Sequence, residues 1–126
     1  MPRSMKGSVN SVFRSFLDAV VLQQLLEGDT YGYQVCREVE KRSGGAWIIQ
    51  EGPLYQEFRR MEEEGLIRSY WGDETHGARR RYYALTEAGQ KELEKRRAEW
   101  ATMRETMDDL LRSEKQGGQK DEQRDQ

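Results

Sequence analysis

The chain has 126 residues, 21 Lys and Arg against 23 Asp and Glu, a net charge of −2, and equal shares of hydrophobic and charged residues at 35% each. Such a length and composition suit one compact domain with an appendage, and the modest core favours association. One cysteine and one histidine exclude an internal disulfide and any zinc-site spacing.

No apolar run nears the roughly 18 to 20 residues of a membrane-spanning helix, and the N-terminal residues lack the apolar stretch of a secretory signal. A cytoplasmic protein without cofactors and without membrane contact is expected. The charge is unevenly placed: residues 1–17 hold Arg3, Lys6 and Arg14 with no acid, whereas Glu62-Glu63-Glu64 and the second half of the chain gather the acids. That separation allows an acidic protein to present a basic face. Residues 1–10 read as a flexible basic arm.

Val12, Phe13, Phe16, Leu17, Val20, Val21, Leu25 and Leu26 predict a first helix that is apolar on more than one face and ends at Gly28. So wide a stripe must be covered from two sides, one by its own domain and the other by a partner subunit. Asp29 or Thr30 is expected to cap a second helix running to about Lys41, with Val35, Cys36 and Val39 inward and Ser43-Gly44-Gly45 closing it. Cys36 there is expected to be a buried, inert thiol. Trp47-Ile48-Ile49 form a short extended piece.

The third helix is the most informative element. Pro53 suits the first helical position, and Gly65 supplies a left-handed cap onto which Leu66 folds back. Leu54, Phe58 and Met61 recur at helical spacing and face the core, which leaves Pro53, Tyr55, Gln56, Arg59 and Arg60 on or near the open face. Phenol, amide and guanidinium groups on one face suit a DNA groove. Arg59 and Arg60 point about 100° apart, so they cannot share a groove equally. One of them can pair instead with Glu62, Glu63 or Glu64.

Residues 66–71 and 80–85 predict two strands joined by the glycine-containing turn 72–78, in which His76 is a solvated loop residue. Arg79, Arg80 and Arg81 enter the second strand as candidates for phosphate binding. Helix, helix, helix, hairpin is the order of a winged helix-turn-helix, so the predicted fold is mainly α with a small β-hairpin wing over residues 11–86. Thr86 then caps a long C-terminal helix over 87–112, with Glu87 near its positive end. Leu93, Trp100 and Met107 lie seven apart with Met103 and Leu110 between them, an a/d seam with Arg96 as its polar intruder. A seam of this kind needs another helix, and a homodimer interface is expected there. Residues 113–126 are polar, without an apolar anchor, and are expected to be disordered.

These pieces together resemble the PadR family of transcriptional regulators, in its short subfamily with a single C-terminal helix, over roughly residues 11–111. The resemblance rests on Phe16-Leu17-Asp18, Tyr31-Gly32-Tyr33, Glu51-Gly52-Pro53-Leu54-Tyr55, Arg59-Arg60-Met61-Glu62 through Gly65-Leu66-Ile67, Arg80 through Gly89, and Glu99-Trp100. It implies a homodimer that binds double-stranded operator DNA through paired winged helices, usually as a repressor released by a small molecule. Tyr55 and Arg59 or Arg60 would then be groove or phosphate contacts, with Arg79, Arg80 and Arg81 at the base of the wing. Trp100 would stand at the dimer interface, where relatives sense planar drugs, so a planar aromatic or cationic effector is implied. Met103 would line that pocket, and Phe13, Phe16 and Asp18 would form its opposite wall if the first and last helices cross.

Two other readings remain open at this level. The interface can be fully packed, giving a ligand-blind regulator controlled by a partner protein, or the winged helix can serve protein contacts without DNA. An enzyme is not expected, because no nucleophile–base pattern or phosphate-cradling glycine loop is present.

Overall fold

A computed structural model describes residues 8–73, 77 and 79–114. The expectations for Arg3, Lys6, His76 and the stretch 115–126 therefore lie outside the described residues. The first helix is two helices, α1 (Ser8–Arg14) and α2 (Leu17–Leu26), and α1 begins inside the stretch expected to be a flexible arm. The break falls at Ser15 and Phe16. The Ser15 hydroxyl donates to the Val12 carbonyl at 2.9 Å, and the Phe16 N–H turns back to Phe13 at 2.8 Å. Such local bonds compete with the helical ladder and end it.

The next helix, α3 (Gly32–Arg42), starts later than expected, and neither Asp29 nor Thr30 caps it. Thr30 is used elsewhere. Its N–H and carbonyl bond Tyr83 at 3.2 and 2.8 Å, making an antiparallel bridge to the hairpin. Asp29 accepts a hydrogen bond from the Tyr70 hydroxyl at 2.6 Å. The turn before α3 is thus tied to the wing twice.

Helix α4 (Glu51–Glu63) starts ahead of Pro53, which sits inside the first turn, where its missing N–H has no intrahelical partner to lose. Leu54, Phe58 and Met61 are fully buried, as their spacing predicts. At the far end Gly65 adopts φ +77°, and the Gly65 and Leu66 N–H groups reach back to Glu62 and Met61 at 3.0 and 2.9 Å. This is a Schellman cap, which satisfies carbonyls the helix would otherwise leave open.

Leu66 leads into β1 (Ile67–Trp71), which pairs antiparallel with β2 (Arg81–Leu85), Ile67 opposite Leu85 and Trp71 opposite Arg81. Thr86 joins the corner to the last helix, α5 (Glu87–Leu111). Its hydroxyl donates to the Gly65 carbonyl at 2.7 Å and accepts from the Gly89 N–H at 3.0 Å. One side chain thereby caps α5 and holds it to the end of α4.

The core gathers α2, α3, α4 and the hairpin around Phe58, which stacks on Tyr83 at 4.0 Å. Trp47 and Ile49 enter it from the extended piece while Ile48, between them, is exposed. Leu93 corrects an expectation: it is 2% exposed and belongs to this core, not to a seam facing a second subunit. The Thr86 anchor sets the first turns of α5 against the hairpin, and Leu93 lies one turn beyond Gly89 on that face. The chain divides into two compact units, Met1–Glu94 and Lys95–Gln126, so the division falls within α5 and not at its start.

Candidate nucleic-acid interface

On α4 the open face holds Gln56 and Arg59, both exposed. Arg59 has no ion-pair partner among the described residues, so its charge is available to an external anion. Arg60 is different. Its guanidinium bridges Glu57 at 2.5 Å and Glu64 at 2.6 Å, and the Glu57 hydrogen bond, ahead of that to Glu64, holds its pKa above the usual arginine value. Of the two arginines expected at the groove, Arg59 is the free one.

Tyr55 is 43% exposed, yet its hydroxyl end lies against α3: a Cβ built on Gly32 would stand 2.6 Å from that oxygen. Gly32 thus permits the close approach of α3 and α4, and the ring meets Phe58 edge-on at 5.8 Å. Burial, then the nearby Glu51 and Cys36, push the phenol pKa up. Tyr55 therefore stays a neutral donor, with its edge open and its tip packed. Cys36, half-buried on α3, is likewise pushed up by burial and then by Glu51, and its thiol is a poor nucleophile.

The wing carries a second set of cations, each laid on a ring. Arg80 sits 4.7 Å over Tyr31, Arg68 is 5.7 Å over Tyr70, and Arg79 and Arg81 lie 5.6 and 5.5 Å over Trp71. A guanidinium lying over an aromatic face can leave N–H groups open to phosphate, although Arg81 gives one N–H to the Ser69 hydroxyl at 2.8 Å and Arg79 gives one to the Gly72 carbonyl at 3.4 Å. Tyr70 also stacks on Tyr82 at 5.7 Å. The Asp29 hydrogen bond holds the Tyr70 phenol protonated. Sequence reasoning misses Arg68 and the aromatic platform; the exposed face of β1 is a signal that could have found Arg68, but the pairing of Tyr31 with the hairpin leaves none.

Phe13, Phe16 and Asp18 belong to the Met1–Glu94 unit. Phe13 stacks on Trp47 at 5.1 Å, Phe16 is half-buried, and Asp18 accepts from the Ala19 N–H at 2.7 Å. In the other unit Trp100 is 46% exposed, and Met103, Met107, Leu110 and Leu111 are exposed with it. Among the described residues no helix is long and apolar enough to cross a membrane.

Helices α2, α3 and α4, the last closed by its Schellman cap, and a paired wing define a winged helix-turn-helix regulator. The model of the transcriptional regulator PadR-like family matches residues 21–95, and the chain belongs to that family. A transcriptional regulator from Clostridium thermocellum is 33% identical and superposes with a TM-score of 0.75, over 81% of this chain and 99% of that one. A PadR family transcription regulator from Clostridium difficile is 35% identical with a TM-score of 0.69, over 77% of this chain and 99% of that one. An uncharacterized protein of Lysinibacillus sphaericus is 35% identical over 99 residues, 79% of this chain and 91% of the relative. The protein is accordingly a transcriptional regulator and not an enzyme.

Proposed function

We propose that the protein is a cytoplasmic, homodimeric repressor that binds double-stranded operator DNA through two winged helices and is released by a small planar effector. The observation that carries the DNA reading is the disposition of the arginines: Arg59, on the open face of α4, has no ion-pair partner among the described residues, and Arg79 and Arg80 of the wing lie over the rings of Trp71 and Tyr31. Cations on a recognition-type helix and on the wing beside it fit a phosphate backbone on either side of a groove. The exposed seam of Trp100, Met103, Met107 and Leu110 supports assembly with a second copy, because such a stripe is costly in water.

Replacing Arg59, Arg79 and Arg80 together with Ala is expected to weaken binding to operator and random duplex alike. The slope of log affinity against log salt should flatten by about 0.9 for each phosphate no longer neutralised. An unchanged slope with a folded protein, measured by fluorescence anisotropy across a salt series, would remove them from the interface.

For the effector, a planar aromatic cation is expected to quench Trp100 by stacking and to lower operator affinity, since an effector acts only through unequal affinity for the two states. Trp100→Ala should lose its share of the quenching and retain DNA binding. Dissociation of that variant into monomers, with no quenching of the parent protein, would make Trp100 interface core and the regulator ligand-blind.

A further inference from the structure

We propose that Arg81 is a positioning residue, which with Ser69 and Glu62 forms a strut setting the wing at a defined angle to α4, and that it does not bind phosphate. The proposal rests on the DNA-binding reading above and assigns Arg81 a role different from that of its neighbours.

The three side chains come from three elements. Glu62 lies in the last turn of α4, Ser69 in the middle of β1 and Arg81 at the start of β2. Arg81 Nη2 donates to Ser69 Oγ at 2.8 Å, and the same hydroxyl donates to Glu62 Oε2 at 2.6 Å. The guanidinium also stands 3.9 Å from Glu62 Oε1 and stacks over Trp71. A hydroxyl accepting from a cation while donating to an anion is polarised in both senses, so the chain is stronger than two separate neutral bonds. Strand alternation explains the division of labour. Arg81 shares a face of the hairpin with Ser69 and Trp71, where Glu62 waits, and Arg80 points to the opposite face and rests on Tyr31.

The consequence for function follows from linkage between two contact surfaces. Helix α4 and the wing meet different parts of a duplex, and each makes the other's binding effectively intramolecular only while their separation is held. Loss of the strut leaves both surfaces intact but relaxes their mutual geometry. An operator, which demands both in register, loses more than a random duplex does. Charge by itself makes the opposite prediction for Glu62, because removing an acid beside a DNA-binding surface strengthens attraction to phosphate.

The test uses the full chain, a duplex that it selects from a random pool, and a scrambled duplex of the same composition, with anisotropy measured over a salt series. Glu62→Gln and Arg81→Gln are each expected to weaken binding to the selected duplex about three- to tenfold. The salt slope should stay unchanged, and the double variant should lose no more than the worse single. Ser69→Thr, which keeps the hydroxyl, should retain binding that Ser69→Ala loses, while Arg80→Gln should flatten the slope by about 0.9. Tighter binding by Glu62→Gln, a flattened slope for Arg81→Gln, or additive losses in the double variant would overturn the strut. A parent protein that selects no duplex at all would sink the DNA-binding reading itself, and the strut's role with it.

Discussion

Gly89→Ala is expected to remove a large part of the domain's stability. A Cβ at this position would lie 2.1 Å from the Leu66 carbonyl oxygen and 2.6 Å from Leu85 Cδ1. The nearer atom is backbone, already receiving the Thr86 N–H at 3.1 Å, so it cannot swing aside as a flexible side chain would. The first turn of α5 must instead move off the corner between α4 and β1, loosening the Thr86 cap and drawing Leu93 from the core. Helix propensity pulls the other way, favouring Ala over Gly by about 1 kcal/mol. Steric overlap with a fixed carbonyl, together with looser packing of the core, should cost about 2–5 kcal/mol. The melting temperature is expected to fall by about 8 °C or more. A variant as stable as the parent, or more so, would show that α5 does not approach Leu66 so closely.

A second large effect separates two truncations that differ by a few residues. Ending the chain after Glu94 keeps Leu93, the Thr86 cap and the whole Met1–Glu94 unit, and removes the exposed stripe from Trp100 to Leu111. That fragment is expected to fold cooperatively and to be monomeric. Ending it after Gly89 takes Leu93 away as well and leaves a hole in the core cluster that holds Ile67 and Tyr83. Deleting a buried leucine side chain costs about 2–5 kcal/mol, and α5 would lose the turns that make its capped start helical. Against a total stability of about 5–15 kcal/mol, the shorter fragment is expected to be largely unfolded. Circular dichroism with light scattering decides both points. A dimeric fragment ending at Glu94 would move the assembly surface into the winged domain, and a well-folded fragment ending at Gly89 would take Leu93 out of the core.

These two results also mark where reading the chain stops being enough. The seven-residue spacing of Leu93, Trp100 and Met107 is the same whether the first of them faces its own domain or a second helix. Periodicity identifies a face and not the surface that covers it. Leu93 is assigned to the core only because Thr86 and Gly89 seat the start of α5 against residues more than twenty positions earlier. The same limit applies to the arginines, since a guanidinium in the sequence is a charge without a partner. Arg59 and Arg60 are adjacent and chemically identical, yet Arg60 lies between Glu57 and Glu64 and Arg59 does not. Arg81 differs from Arg80 by one step of strand alternation, which turns it toward Glu62.

What the sequence determined by itself was local and periodic. The run of Leu54, Phe58 and Met61 ending at Gly65, the alternation through the hairpin and the threonine before α5 each act within a few residues, where backbone sterics and hydrogen-bond reach leave little choice. The tertiary structure decided what depends on segments far apart in the chain: Thr30 paired with Tyr83 in place of capping α3, the tip of Tyr55 closed over Gly32, and arginines sorted into struts and free cations. Pairings of that kind are set by the packing of whole elements. A residue's type restricts which partners it can take, and only the folded geometry brings one of them within reach.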